Sequence, residues 1–168
     1  MTNHRTVADC GRLFTWILLT CIGLLGYGLY LQHWENLDPC PWCVVQRLDY
    51  MLIGLIALTG ALHRPGPIGT ILYAGLGFIA AAAGVAAAGY QVYLQADPAR
   101  AAKCVGSPVE RILDQLEVGK LIPPLLQYDG PCTLKAWSFV GLSIPEWSLV
   151  WFVILAVAFL AVPLLSSR

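Results

Sequence analysis

Four apolar runs constrain this chain before any single residue does: 13–31, 44–62, 68–94 and 147–165. Each is close to the about 20 residues that a helix needs to cross a hydrocarbon core. In lipid, backbone amides must be satisfied within their own segment, so runs of this length are read as spanning helices. Composition agrees, with 58% hydrophobic residues, 12% charged residues and a mean hydropathy of +0.68. Soluble domains carry about 25% charged residues. The expected fold is an all-α integral membrane protein, a single four-transmembrane-helix bundle over residues 1–168. Ten basic residues balance ten acidic ones, and nothing in that balance draws nucleic acid.

The connections order the bundle. Residues 1–11 read as a short polar head carrying Arg5, and Arg12 lies at the membrane edge. No small-residue cleavage site follows the first run, so that run is expected to stay as helix one. Gly23, Gly26 and Gly28 within it would let a neighbouring helix approach closely. A brief polar loop, 32–43, joins helices one and two, and His63-Arg64-Pro65-Gly66-Pro67 makes a tight turn into helix three. The long loop, 96–146, holds most of the charges. Within it Ser107-Pro108-Val109-Glu110 is a capping-box pattern with proline at the first helical position. Val109, Ile112, Leu113 and Leu116 follow at helical spacing, predicting a short amphipathic helix lying on the bilayer. Pro123-Pro124 and Asp129-Gly130-Pro131 are expected to break further structure and leave Cys132 on a mobile arm. Trp147 and Trp151 read as interfacial anchors for helix four.

Basic residues set the orientation. Arg5, Arg12, Arg64 and Arg168 fall on one side, where the only acid is Asp9. By the positive-inside rule that side, with both termini, is cytoplasmic, and the loops 32–43 and 96–146 face outward. In a bacterium the outward side of the inner membrane is the periplasm, where disulfides form and persist.

Four of the six cysteines, Cys40, Cys43, Cys104 and Cys132, share that oxidising face. Cys10 and Cys21 are read as small apolar residues without a role. Four outward thiols allow three pairings; proximity in sequence favours Cys40 with Cys43 and Cys104 with Cys132. Cys40 and Cys43 stand in Pro39-Cys40-Pro41-Trp42-Cys43-Val44-Val45-Gln46-Arg47, at the start of helix two. A thiolate is stabilised at a helix N-terminus near a cation, and Cys43 has both, with Arg47 one turn along the same face. Arg47 and Asp49 are too polar for lipid; Arg47 is assigned a functional role, and Asp49 is expected to snorkel to the headgroups. Gln91 and Gln95, four apart near the far end of helix three, present amides either to a polar ligand or simply to the interface.

Three function classes remain open on these residues, the first a redox centre at the membrane surface. Half of a zinc knuckle would also show C-x-x-C, and four outward cysteines could make a membrane metal-binding protein, although Cys104 and Cys132 lack knuckle spacing. Disulfides that merely brace the loops of a structural four-helix protein are the third possibility.

Four spanning runs, Cys-Pro-Trp-Cys-Val-Val-Gln-Arg opening helix two, a second cysteine pair in the loop before helix four, and Trp-x-Phe-x-Gly-Leu-x-x-Pro-x-Trp over 137–147 together resemble the bacterial disulfide-bond formation protein B (DsbB) family. The resemblance covers essentially the whole chain. In vitamin K epoxide reductase-type enzymes the loop pair precedes the C-x-x-C; here the order is reversed.

The resemblance implies a quinone-dependent thiol oxidase that regenerates the disulfide of a soluble periplasmic oxidant of the DsbA type, with ubiquinone or menaquinone as cofactor. It implies that the partner's thiolate attacks a Cys104/Cys132 disulfide at Cys104, and that the released Cys132 attacks Cys40, expected to be the more exposed of its pair. Cys43 then leaves as the better-stabilised thiolate and passes electrons to the quinone. Arg47 would serve both the sulfur and the charge developing on the quinone oxygen. Gln91 and Gln95, which stand where some relatives carry a histidine or another polar group, are the further candidates for cofactor contact. A partner as strongly oxidising as DsbA needs an acceptor stronger than glutathione, which is a physical reason to expect a quinone.

Overall fold

A computed structural model describes residues 2–101, 107–130 and 137–166; Cys104, Cys132 and Arg168 lie outside the described residues. The chain runs α1 (Thr2–Trp34), α2 (Pro41–His63), α3 (Pro67–Gln95), α4 (Pro98–Ala101), α5 (Pro108–Gln115), α6 (Val118–Leu121), α7 (Pro123–Leu126), β1 (Ser138–Phe139), β2 (Leu142–Ser143) and α8 (Ile144–Ser166). Four stretches, Cys10–Trp34, Pro41–His63, Pro67–Gln95 and Ile144–Leu164, are long and apolar enough to cross a membrane. The protein is an all-α, multi-pass membrane protein. The short polar head is helical from Thr2, continuous with the first spanning helix, because neither proline nor glycine interrupts it before Gly11.

Each long helix packs on its chain neighbours, α1 on α2, α2 on α3 and α3 on α8, and α8 returns to α1 to close the bundle. The α3/α8 seam is the most extensive. A row of small residues on α3, Ala74, Gly77, Ala81, Gly84 and Ala88, is spaced three and four apart and faces the core. Phe159 fills the notch at Gly77 and Phe152 the notch at Gly84; a Cβ at either glycine would overlap the ring it receives. Without a hydrophobic driving force between helices in lipid, such van der Waals fit holds the seam. The glycines of α1 do not work this way. Gly23 and Gly26 are exposed with nothing within 4 Å, and Gly28 meets only the Arg47 guanidinium, 3.9 Å from where its Cβ would stand. The helix turns them away from its neighbours, so the expected close approach occurs on α3 instead.

In the long loop the cap forms as expected: Ser107 Oγ accepts the Glu110 N–H at 3.2 Å, with Pro108 opening α5. The apolar stripe, however, divides. Leu113 is buried with Val44, Val118 and Leu126, with Val109 packed beside them, whereas Ile112 and Leu116 are exposed. One i,i+4 pair fastens α5 to the start of α2, and the other is left facing outward. The two prolines after Ile122 do not end structure; Pro123 starts α7, since its missing N–H and fixed φ suit a first helical turn.

A tight hairpin leads into α8, with Ser138 opposite Ser143 and Phe139 opposite Leu142. Its two turn residues have positive φ, Val140 at 54° and Gly141 at 81°. Only the second is a glycine; Val140 holds an unfavourable conformation for a β-branched residue. Directly after it, Glu146 Oε2 accepts from the Ser143 N–H at 2.6 Å and from its hydroxyl at 2.7 Å, capping α8. Trp147 Nε1 donates to the Phe139 carbonyl at 3.0 Å, tying the hairpin to the helix.

Candidate functional site

Cys40 is the N-cap of α2 and Pro41 its first residue, so Cys43 sits in the first turn, at the positive end of a 23-residue helix. The Cys43 and Val44 N–H groups both donate to the Cys40 carbonyl, at 2.9 and 3.2 Å, and this turn brings the two sulfurs to 3.1 Å. Closing a disulfide from here asks for an approach of about 1 Å. Both cysteines are thiols in the structure.

Exposure of the pair is the reverse of expectation. Cys40 is 3% exposed, while Cys43 is only half-buried. Cys40 packs against Leu94 at the end of α3, and the loop segment ending at Gly130 crosses just above it. There the Gly130 N–H donates to the Pro39 carbonyl at 3.1 Å, and a side chain at 130 would collide with the Asp38 carbonyl. The long loop is thereby fastened one residue before Cys40 and two residues before Cys132.

Both sulfurs line a cavity of about 520 Å³. Its walls are α1 at Leu24, Gly28 and Leu31 and α8 at Ile144, Ser148 and Trp151, with Trp137 and Phe139 at the hairpin. Tyr50 closes its base: the ring stacks on Phe152 with centroids 4.2 Å apart, and its hydroxyl bonds Ser148 Oγ at 2.9 Å. The wall is largely apolar, with polar residues at Gln46, Arg47, Gln91 and Gln95 on the helices and at Asn36, Asp38 and Asp129 on the loops. Concave, mostly apolar sites with a few convergent polar groups are typical of small-molecule and cofactor sites.

Arg47 stands in this wall, one turn beyond Cys43, as the spacing predicted. Its hydrogen bonds among the described residues go elsewhere: Nη1 to Gln32 Oε1 and to the Leu125 carbonyl, each at 2.6 Å, and Nη2 to the Gly28 carbonyl at 3.4 Å. The guanidinium therefore pins α1 and α7 to α2.

The direct partner of the sulfurs is Gln91, whose Nε2 donates to Cys40 Sγ and Cys43 Sγ, each at 3.2 Å. Its Oε1 accepts from Gln46 Nε2 at 2.5 Å. Gln95 also lines the cavity, where its Oε1 accepts from Ser143 Oγ at 3.3 Å. Of the two glutamines set apart in the sequence, one meets the cysteines and the other meets the hairpin. Asp49 departs from expectation: Oδ2 is buried between α2, α3 and α8, close to Gly84, with no hydrogen-bond partner among the described residues. Two positions on from Arg47, it lies on the bundle side of α2 rather than the headgroup side.

Sequence reasoning passed over Gln46, Gln32 and the contact between Gly130 and Pro39. A signal existed for Gln46: it is polar, inside an apolar run, and three residues past Cys43, hence on the same helical face. No pattern announces the other two, because each joins segments far apart in the chain. Cys104 and Cys132 lie outside the described residues, and among those described no three His, Cys, Asp or Glu side chains gather as a metal site would require.

Comparison with known proteins shows the family. The family model for disulfide bond formation protein DsbB matches residues 11–162. A disulfide bond formation protein B from Aromatoleum aromaticum is 41% identical over 145 residues, covering 86% of this chain and 87% of that protein. Proteins of the same name from Nitrosospira multiformis and Ralstonia nicotianae are 44% identical over 140 residues and 38% over 161, covering 83% of both chains and 96% and 98% respectively. With the C-x-x-C at the head of α2 and a match that runs through all four spanning helices, the chain belongs to the DsbB family of disulfide bond formation proteins.

Proposed function

We propose that the protein is a thiol oxidase of the bacterial inner membrane, a protein-dithiol:quinone reductase, which reoxidises a soluble periplasmic dithiol oxidant of the DsbA type and delivers the electrons to a quinone. The observation that carries this reading is that both C-x-x-C cysteines line a largely apolar cavity of about 520 Å³ whose wall also includes Arg47. The cavity fits a quinone: aromatic and aliphatic walls suit the ring, and the Arg47 and Gln95 side chains offer polar groups for its oxygens. When bound, ubiquinone or menaquinone supplies a two-electron, two-proton acceptor.

The residues of the chain do the rest. A thiolate of the partner attacks Cys104 of a Cys104/Cys132 disulfide; the sulfur–sulfur bond breaks, and Cys132 leaves as a thiolate. Cys132 attacks Cys40 of the oxidised Cys40/Cys43 pair; a new Cys132/Cys40 bond forms, the Cys40/Cys43 disulfide breaks, and Cys43 leaves as a thiolate held by the helix terminus and the Gln91 amide. The partner's second thiol displaces Cys104 and leaves the partner oxidised. Cys104 then displaces Cys40 from Cys132, which restores the loop disulfide and leaves Cys40 and Cys43 reduced. Two electrons and two protons have then moved from the partner to the C-x-x-C, and both pass on in the last step as the Cys40/Cys43 disulfide reforms. The fastening of Gly130 to Pro39 supports the middle transfer, because it joins the long loop, two residues before Cys132 in the sequence, to the residue before Cys40. Arg47 supplies positive charge at the cavity wall where negative charge develops. The excess of arginines on one side supports an orientation with cytoplasmic termini and periplasmic redox loops.

Detergent-purified protein, given a reduced DsbA-type partner and ubiquinone or menaquinone, is expected to oxidise the partner with stoichiometric quinone reduction, and Cys43→Ser to abolish turnover. No quinone reduction with any partner, together with one zinc or copper bound per chain, would establish the four-cysteine metal site instead.

A further inference from the structure

The polar cluster behind the two sulfurs has more structure than the relay needs. Gln46 on α2 and Gln91 on α3 are 5% and 2% exposed, so water does not compete for their amides. Gln91 bridges both sulfurs with one NH2 group, at 3.2 Å to each. A primary amide can face a site with either end, since its oxygen and nitrogen are nearly equal in shape. Turned round, Gln91 would present lone pairs to the sulfurs and repel a thiolate. What selects the productive end is Gln46, whose Nε2 donates to Gln91 Oε1 at 2.5 Å and so claims the oxygen.

We propose that Gln46 is a positioning residue: by holding the Gln91 oxygen it aims the Gln91 NH2 group at Cys40 and Cys43 and so sets the redox potential of that pair. The inference deepens the thiol oxidase reading and rests on it for its biological meaning. Hydrogen bonds to a charged acceptor are roughly twice as strong as neutral ones, so the amide favours the thiolate over the disulfide. Stabilising the reduced pair makes the disulfide the stronger oxidant, as a relay that must take electrons from an oxidising partner requires. Because one NH2 group reaches both sulfurs, it serves whichever of them carries the charge, without reorientation.

The test is made on full-length protein in detergent carrying Cys104→Ser and Cys132→Ser, so that only the Cys40/Cys43 pair titrates. The pair is equilibrated in glutathione or dithiothreitol redox buffers, and its oxidised fraction is read by alkylation and mass spectrometry. Gln46→Met, close in shape but without a donor, is expected to lower the equilibrium constant for reduction about tenfold, which is about 30 mV for a two-electron couple. Gln91→Met is expected to do the same, and the double variant to shift no further than either alone, because Gln46 acts through Gln91. Should Gln46→Met not accumulate as folded protein, Gln46→Asn, an amide one methylene too short to reach Gln91, carries the same expectation. An unchanged potential in a folded Gln46 variant, or an equal extra shift from Gln46→Met in the Gln91→Met background, overturns the proposal. The potential is read without quinone or partner, so a chain that fails to turn over quinone leaves this result standing, and a flat potential leaves turnover standing.

Discussion

Helix α8 treats its two halves differently. Over its membrane-embedded half it drives Phe152 and Phe159 into glycine notches on α3, and no space is left for even a methyl group. Over its first two turns Ile144, Ser148 and Trp151 stand back from α1 and leave a cavity of about 520 Å³. Tyr50 marks the border, stacked on Phe152 on one side and facing the cavity on the other. The closed half fixes how α3 and α8 approach each other, and this lets the open half keep a void beside the cysteines without collapse. Rigidity and access are divided along one helix.

The largest expected effect tests the closed half. Gly84→Leu would force a side chain into the Phe152 ring and the Asp49 carboxylate, and is expected to cost more than the about 1–3 kcal/mol typical of overpacking. Little folded protein should be recovered, whereas Gly26→Leu, in open space, should purify with an unchanged melting temperature. Equal yields of the two would break the contrast.

At the open half, Arg47→Ala removes the guanidinium from the cavity wall along with its bonds to Gln32 and the Leu125 carbonyl. Quinone reduction is expected to fall about a hundredfold in kcat, the scale for loss of a preorganised charged donor. Initial rates against quinone concentration check this; a change confined to KM would mean that the arginine only binds.

A smaller effect belongs to the loop that covers the pair. Gly130→Ala pushes a methyl group against the Asp38 carbonyl, and about 1–2 kcal/mol of strain there should slow transfer from the loop cysteines to Cys40 about tenfold. Quinone reduction driven by a small dithiol acting directly on Cys40 and Cys43 should be unaffected. Slowing of both reactions would place the defect in the cavity rather than in the tether.

The smallest expected change is at the border. Tyr50→Phe keeps the stack on Phe152 and loses the hydrogen bond to Ser148, worth about 1 kcal/mol. Thermal unfolding should register a drop of a few degrees, with turnover nearly unchanged.

Legibility differed by the range of the interaction concerned. The four spanning helices, the cap at Ser107 and the placement of Cys43 one turn before Arg47 all follow from spacing within a single segment. Gly23 and Gly26 misled because a glycine in a spanning helix does not say which way it faces; α1 turns both away from its neighbours, and the notches lie on α3. Asp49 misled similarly, since a carboxylate about two turns into α2 can rise to the headgroups or turn inward, and rotation of α2 against α3 decides between them.

By itself the sequence determined the solvent, the number of spanning helices, the C-x-x-C at a helix start and the family, because all are written in local composition and short-range spacing. Tertiary structure decided which cysteine is covered, that Gln91 rather than Arg47 bonds the sulfurs, that Gln46 orients Gln91, and that Gly130 fastens the long loop beside Cys40. Each of these joins residues from different helices or loops, where a rotation of one residue, about 100° in an α-helix, exchanges one neighbour for another. Such choices are settled by the packing of the whole bundle.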